Sequence, residues 1–224
     1  MEITSILGTF GTILGLVRAM PQLIKLLRAK EAFGVSVDTA ATSAVCSFGW
    51  VVYGVLTNQF YFGLASGLTG FIFALIALFA LRYGRQIKEF KVAPIWFTVL
   101  LLAAVVFGKN GLGMVLSISV LIANIPQLRL AYKESNLTDL SLGTWAISTI
   151  EGLIWLTYAL LLLDGAIIVS AFFQAMTSGL IVALKFTRQV TPAVSPPFRR
   201  HRPILAWSRE HNDRHQADST GQSR

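Results

Sequence analysis

Ala19-Met20-Pro21-Gln22-Leu23 and Asn124-Ile125-Pro126-Gln127-Leu128 are two copies of one stretch, each near the end of a long apolar run. A shift of 105 residues, which carries Pro21 onto Pro126, lays one on the other. Without a gap, the same shift carries Ser36 to Ser141, Thr39 to Thr144, Ser43 to Ser148, Trp50 to Trp155 and Tyr53 to Tyr158. A lone Pro-Gln pair carries no information. This set in a single register is an internal repeat, and a repeat sets the architecture before any local feature does.

The material of the repeat is apolar. Hydrophobic residues make up 54% of the chain and charged ones 13%, with a mean hydropathy of +0.63; soluble domains carry about 25% charged residues. A bilayer-spanning helix needs about 20 mainly apolar residues. Stretches of that kind run over 3–27, 38–57, 60–81, 92–108, 111–131, 141–162 and 165–186. The fourth is the shortest and opens near Pro94, a residue that the first turn of a helix tolerates.

The cations test that count. With seven crossings, 17 of the 19 Lys and Arg residues fall on one side; Lys109 lies in an opposite connection and Arg18 within the first span. By the positive-inside rule the N-terminus is then outside and the C-terminus cytoplasmic, as in a multi-pass protein of the plasma membrane. The net charge of +8 follows from topology, so the bilayer and not nucleic acid is the expected partner. A single crossing between two three-span units leaves both pointing the same way. The expected fold is therefore an all-α membrane protein with seven transmembrane helices, two parallel three-helix bundles joined by a linker helix (3+1+3). Residues 1–83 form the first unit, 84–109 a cytoplasmic loop plus the linker helix, and 110–187 the second unit. Residues 188–224 read as a disordered basic cytoplasmic tail.

Composition also excludes chemistry. The one cysteine, Cys46, lies in an apolar stretch, and His201, His211 and His215 all fall in the tail. No metal site, cofactor or catalytic constellation is expected in the membrane, so the chain does not read as an enzyme. Glu2 stands where a signal peptide carries positive charge, so no signal peptide is expected.

Pro21 and Pro126 each lack an N–H and crowd the carbonyl four residues back, which weakens two helices at matched points. With Gln22 and Gln127 they are candidate hinges; the plainer reading is a static kink. Ser43, Cys46, Trp50 and Tyr53 recur at helical spacing on one face, as do Ser148, Glu151, Trp155 and Tyr158. Two such faces across a pseudo-two-fold axis would make either a slot for a flat, polar-rimmed solute or a packed core. Glu151 is the one acidic residue in mid-span, where a charge costs at least about 2.5–3.5 kcal/mol. It is either a proton- or cation-coupling site or half of a structural pair, with Arg18 the candidate partner. Gly11, Gly15, Gly63 and Gly67 read as small-residue helix contacts. Asp164, in a short connection, reads as solvated.

These residues resemble the PQ-loop membrane proteins, and among them the SWEET and semiSWEET sugar transporters. Pro21 and Pro126 match the proline of the first helix of that unit. Trp50-Val51-Val52-Tyr53-Gly54 and Trp155-Leu156-Thr157-Tyr158-Ala159 match the end of its second. The resemblance covers about residues 3–187. It implies a sugar facilitator working by alternating access, with Trp50 and Trp155 lining the solute site; Ser43 and Ser148, on the same helical faces, are further candidate contacts. The family's third-helix asparagine is replaced by Ser66-Gly67 and Ser170-Ala171, which leaves Ser66, Asn124 and Gln174 as candidate polar contacts. Two other readings stay open: a proton-coupled amino-acid carrier of the PQ-loop type, and a non-transporting binder similar to the KDEL receptor. One chain holds both halves and can act as a monomer, with homo-oligomers equally compatible.

Overall fold

A computed structural model of the chain describes residues 2–133 and 142–190. The described residues form helices α1 (Ile3–Ala29), α2 (Val37–Thr57), α3 (Phe60–Arg82), α4 (Val92–Lys133), α5 (Leu142–Leu162) and α6 (Gly165–Val190), with a 3₁₀ turn at Ile87–Glu89. The basic tail lies almost wholly outside the described residues, as do the side chains of Pro126 and Gln127.

Local chemistry sets the helix ends. The Ser36 hydroxyl accepts from the Thr39 amide at 3.2 Å and caps α2. At the other end of α2, Asn58 takes a left-handed conformation with φ 57°, and its repeat counterpart Leu163 does the same after α5 with φ 53°. Asp164 then caps α6, its carboxylate accepting from the Ile167 amide at 3.1 Å. The start of α4 is capped from a distance: Asp38 Oδ1 accepts from the amides of Lys91, Val92 and Ala93, each at 3.0 Å. That anchor ties α4 to the first turn of α2.

Among the described residues, six helices are long and apolar enough to cross a membrane, where seven separate ones were expected. The difference lies in α4, whose 42 residues take up both the fourth and fifth expected spans. A straight helix of that length would run about 63 Å. Instead Gly108, with φ 59° and ψ −150°, interrupts it in a conformation that only glycine adopts cheaply. Trp96 Nε1 donates to Ser119 Oγ at 3.2 Å, although about 35 Å would separate them along an unbroken helix. Leu100 and Leu116 likewise both reach Gly49. The two arms of α4 therefore lie side by side and antiparallel, with no loop long enough to separate them as elements.

The helices close into a ring. α3 packs against both α1 and α2, and α6 against both α4 and α5; α1 then meets α5, and α2 meets α4. The repeat shift carries each of these contacts onto another, so the seams α1–α5 and α2–α4 are equivalent positions. The buried residues are distributed unevenly along the ring axis. At the end where α1 begins, one core joins both repeats through Trp50, Tyr53, Phe62, Leu116, Trp155 and Tyr158. At the other end, among the described residues, the cores are separate. One is built on Leu23, Leu26, Val37, Ile72 and Ile76 of the first repeat, the other on Ile181 with Leu128, Trp145 and Leu184 of the second. Lys25, Arg28, Arg82 and Lys91 all lie toward this second end. Large apolar side chains such as Phe10, Val55, Phe71, Val105 and Leu163 point outward, as a lipid-facing surface requires.

Candidate solute site

A cavity of about 120 Å³ lies between the two repeats, bounded by α1, α2, α3, α5 and α6 and by Val120 of α4. This is small beside the roughly 300–1,000 Å³ of ordinary small-molecule sites. Its roof faces the joined end and is aromatic. Trp50 and Trp155 are 8% and 5% exposed, which excludes a role as interfacial belt residues. They do not face each other across an empty slot, however. Phe62 stands between them, edge-on to both, with ring centroids 5.1 Å from Trp50 and 4.9 Å from Trp155. The phenyl ring has no aromatic counterpart, because the shift places Ile167 at the matching position.

Above the roof the repeats are tied by a reciprocal pair of hydrogen bonds. The Tyr53 hydroxyl donates to Asp164 Oδ1 at 2.8 Å, and the Tyr158 hydroxyl donates to Gln59 Oε1 at 3.1 Å. Tyr53 and Tyr158 are repeat counterparts, and so are Gln59 and Asp164, so each second helix reaches the start of the other repeat's third helix. Asp164 is 9% exposed, and the expectation of a solvated loop residue is corrected. It carries two duties, capping α6 and accepting from Tyr53 across the ring.

Below the roof lies an ion pair. Arg18 Nε donates to Glu151 Oε2 at 2.8 Å, from α1 of one repeat to α5 of the other. Its place follows from two glycines. A Cβ on Gly11 would stand 2.7 Å from Trp155, and one on Gly15 would stand 3.0 Å from Glu151 Oε1. The bare backbone of α1 thus lets the indole and the carboxylate lie directly against it. Gly11 and Gly15 do serve close helix approach, as read from the sequence, and the same approach builds one wall of the cavity. Ser47, Ser66, Thr69, Ser170 and Gln174 supply further polar lining.

Of the residues singled out in the sequence, Trp50, Trp155, Ser66, Gln174 and Glu151 line the cavity. Ser148, Asn124 and Ser43 are not among its lining residues. The Ser148 hydroxyl accepts from Ser178 at 3.1 Å, and its carbonyl from Gln174 Nε2 at 3.3 Å. Asn124 Nδ2 donates to Thr177 at 2.8 Å, which commits it to the α4–α6 contact. Ser43 lies one helical turn from Ser47, the hydroxyl that does line the cavity. Pro21 and Gln22 are exposed on the outside of α1, which continues through them as one helix. Sequence reasoning left out Phe62, Ser47 and Thr69. Phe62 and Thr69 sit in an apolar helix whose pattern favours no face, and Ser47 lies one position beyond the face that was read.

Comparison with known proteins agrees with this geometry. Residues 3–63, which hold α1, α2 and the start of α3, match the family model of the PQ loop repeat. The structure of a eukaryotic SWEET transporter, solved at 3.7 Å resolution, superimposes with a TM-score of 0.67 at 12% identity, covering 85% of this chain and all of that one. At such identity the likeness is one of fold. No curated protein matches the sequence significantly.

Proposed function

We propose that this PQ-loop, SWEET-like membrane protein is a carrier, which moves a small polar solute by exposing its central cavity to the two sides of the bilayer in turn. The observation that carries this reading is the uneven core: among the described residues, the repeats share one core above the cavity and hold separate cores below it. Such a molecule is sealed at one end and parted at the other. A second shape with the opposite pattern needs the repeats only to rock about the cavity. Pro21 and Pro126, one in each repeat, are weakened points suited to that motion, each freeing a carbonyl in its helix. The indole roof and the lining hydroxyls suit small polar solutes with an apolar face, sugars among them.

In this reading the two arms of α4 both cross the bilayer, for seven crossings in all. Residues 1–83 and 110–187 are parallel bundles, and 84–109 holds the connection and the linker arm. The N-terminus is outside, and the parted, cation-rich end faces the cytoplasm. Topology is tested by single cysteines in a Cys46→Ser background. Lys91→Cys and Lys109→Cys should label from opposite faces, and labelling from one face would remove the linker crossing.

Alternation is tested with Ser66→Cys in the same background, in vesicles of known orientation. An impermeant thiol reagent should reach it from the cation-rich side, and from the other side once Tyr53→Phe and Tyr158→Phe weaken the seal. Access from one side only in both proteins would defeat the carrier reading.

A further inference from the structure

The ion pair in the cavity is not accounted for by transport of a neutral solute. Both charges sit within the membrane-spanning part of the fold, where each is costly. A buried pair is commonly no more stabilising than apolar residues of similar volume, so stability alone does not call for it. The ring itself supplies the control. At the equivalent α2–α4 seam the counterparts of Arg18 and Glu151 are Ala123 and Cys46, so the matching positions there carry no charge.

The pairing is also incomplete. A guanidinium and a carboxylate can form two parallel hydrogen bonds, but here only Nε and Oε2 meet. Among the described residues, the two terminal nitrogens of Arg18 and Oε1 of Glu151 have no hydrogen-bond partner. Both side chains line the cavity. The cavity therefore offers a set of cationic donors and an anionic acceptor side by side, on opposite repeats, in a space of about 120 Å³.

We infer that the solute is a small zwitterion, bound with its anionic group on the Arg18 guanidinium and its cationic group on the Glu151 carboxylate. This rests on the carrier reading and names the class of solute for the same cavity. Charge balance is the physical reason. A zwitterion satisfies both free ends and leaves the cavity neutral, as a low-dielectric site requires. A solute with one charge would leave an unbalanced charge in the membrane. A sugar would also keep the cavity neutral, but it would bring no charge to the free guanidinium nitrogens of Arg18 or to Oε1 of Glu151. The volume limits the solute to a few heavy atoms beyond the two charged groups, on the scale of a small α-amino acid. Because the two charges belong to different repeats, the bound solute would bridge the halves that must move.

The test uses purified protein in proteoliposomes, with counterflow of labelled alanine and, separately, of labelled glucose. Alanine counterflow is expected, with unlabelled alanine and glycine competing at least tenfold better than propionate or ethylamine, which carry one charge each. In the double variant Arg18→Gln/Glu151→Gln, which keeps the cavity neutral, alanine counterflow should fall at least tenfold while the melting temperature stays near that of the parent. Glucose counterflow that survives the double substitution would overturn the zwitterion and leave the carrier standing. Propionate or ethylamine competing as well as alanine would also overturn it, and this comparison needs no variant. A parent protein that moves neither label overturns it too. The Ser66→Cys accessibility result then decides whether the carrier reading falls with it.

Discussion

At the seam between α1 and α5, Gly11 lies against Trp155, Gly15 lies against Glu151, and Arg18 pairs with Glu151 across the ring. At the seam between α2 and α4, which the internal repeat makes equivalent, Gly49 lies against Leu100 and Leu116, and the charged pair is replaced by Ala123 and Cys46. Above these seams the halves match closely. Trp50–Tyr53 and Trp155–Tyr158 stack edge-on at 5.4 and 5.3 Å, and both tyrosines reach across to the other half. The framework is thus duplicated while the chemistry of the cavity is not. The backbone geometry and the tyrosine contacts across the ring need both copies to close it. A site that receives one solute in one orientation needs only one.

The sharpest way to break this comparison is to remove one charge. Arg18→Ala should destabilise the detergent-solubilised protein by about 3 kcal/mol, since it leaves the Glu151 carboxylate buried and alone, and Glu151→Ala should cost less, because Arg18 is only partly buried. The double glutamine variant should cost much less than the sum of the two, and Cys46→Ala at the other seam should cost least. Equal costs at the two seams, read from unfolding midpoints, would mean that the pair is ordinary packing.

The reciprocal tyrosines come next. Tyr53→Phe removes a buried hydrogen bond to a carboxylate, worth about 1.5–3 kcal/mol, while Tyr158→Phe removes one to a neutral amide, worth about 0.5–1.5 kcal/mol. Both should raise reactivity of a cavity cysteine from the sealed end, Tyr53→Phe more. An effect in the reverse order would show that the seal is not made by these bonds.

A methyl at Gly11 would meet the rigid indole of Trp155, and overpacking of that kind costs about 1–3 kcal/mol. Gly49→Ala meets only the movable ends of leucines at 3.0 and 3.3 Å and should cost less. The smallest change makes the halves more alike. Phe62→Ile copies the residue at the matching position, Ile167, and should cost on the order of 1 kcal/mol. It should also widen the gap between the indoles, seen as stronger acrylamide quenching of their fluorescence. Unchanged quenching would mean that Phe62 does not separate them from the cavity.

Much of this was legible in the chain before any coordinates. The repeat register, the helical spans, the burial of Trp50 and Trp155 and the inward setting of Glu151 follow from periodicity and from the cost of charge in a bilayer. The cavity was legible only in part. Ser43 and Ser148 share the face of the tryptophans, and that face is wide enough for Ser47 to line the cavity while Ser148 bonds to α6. Asp164 read as solvated because a short polar connection gives no sign that a tyrosine from another helix will cover it. The fourth and fifth spans read as separate because Gly108, Lys109 and Asn110 resemble a loop; one glycine with positive φ was enough to turn the chain.

The sequence by itself determined the repeating unit, the helices and, in α2 and α5, the side that avoids lipid. These depend on residues three or four positions apart and on a 105-residue register that can be read without coordinates. Only the tertiary structure decided that Phe62 parts the two indoles, that Arg18 reaches Glu151 133 residues away, and that a core at one end joins the two halves. Those outcomes depend on which helix stands beside which and how closely, and the hydrophobic pattern of a single helix holds no information about its neighbour.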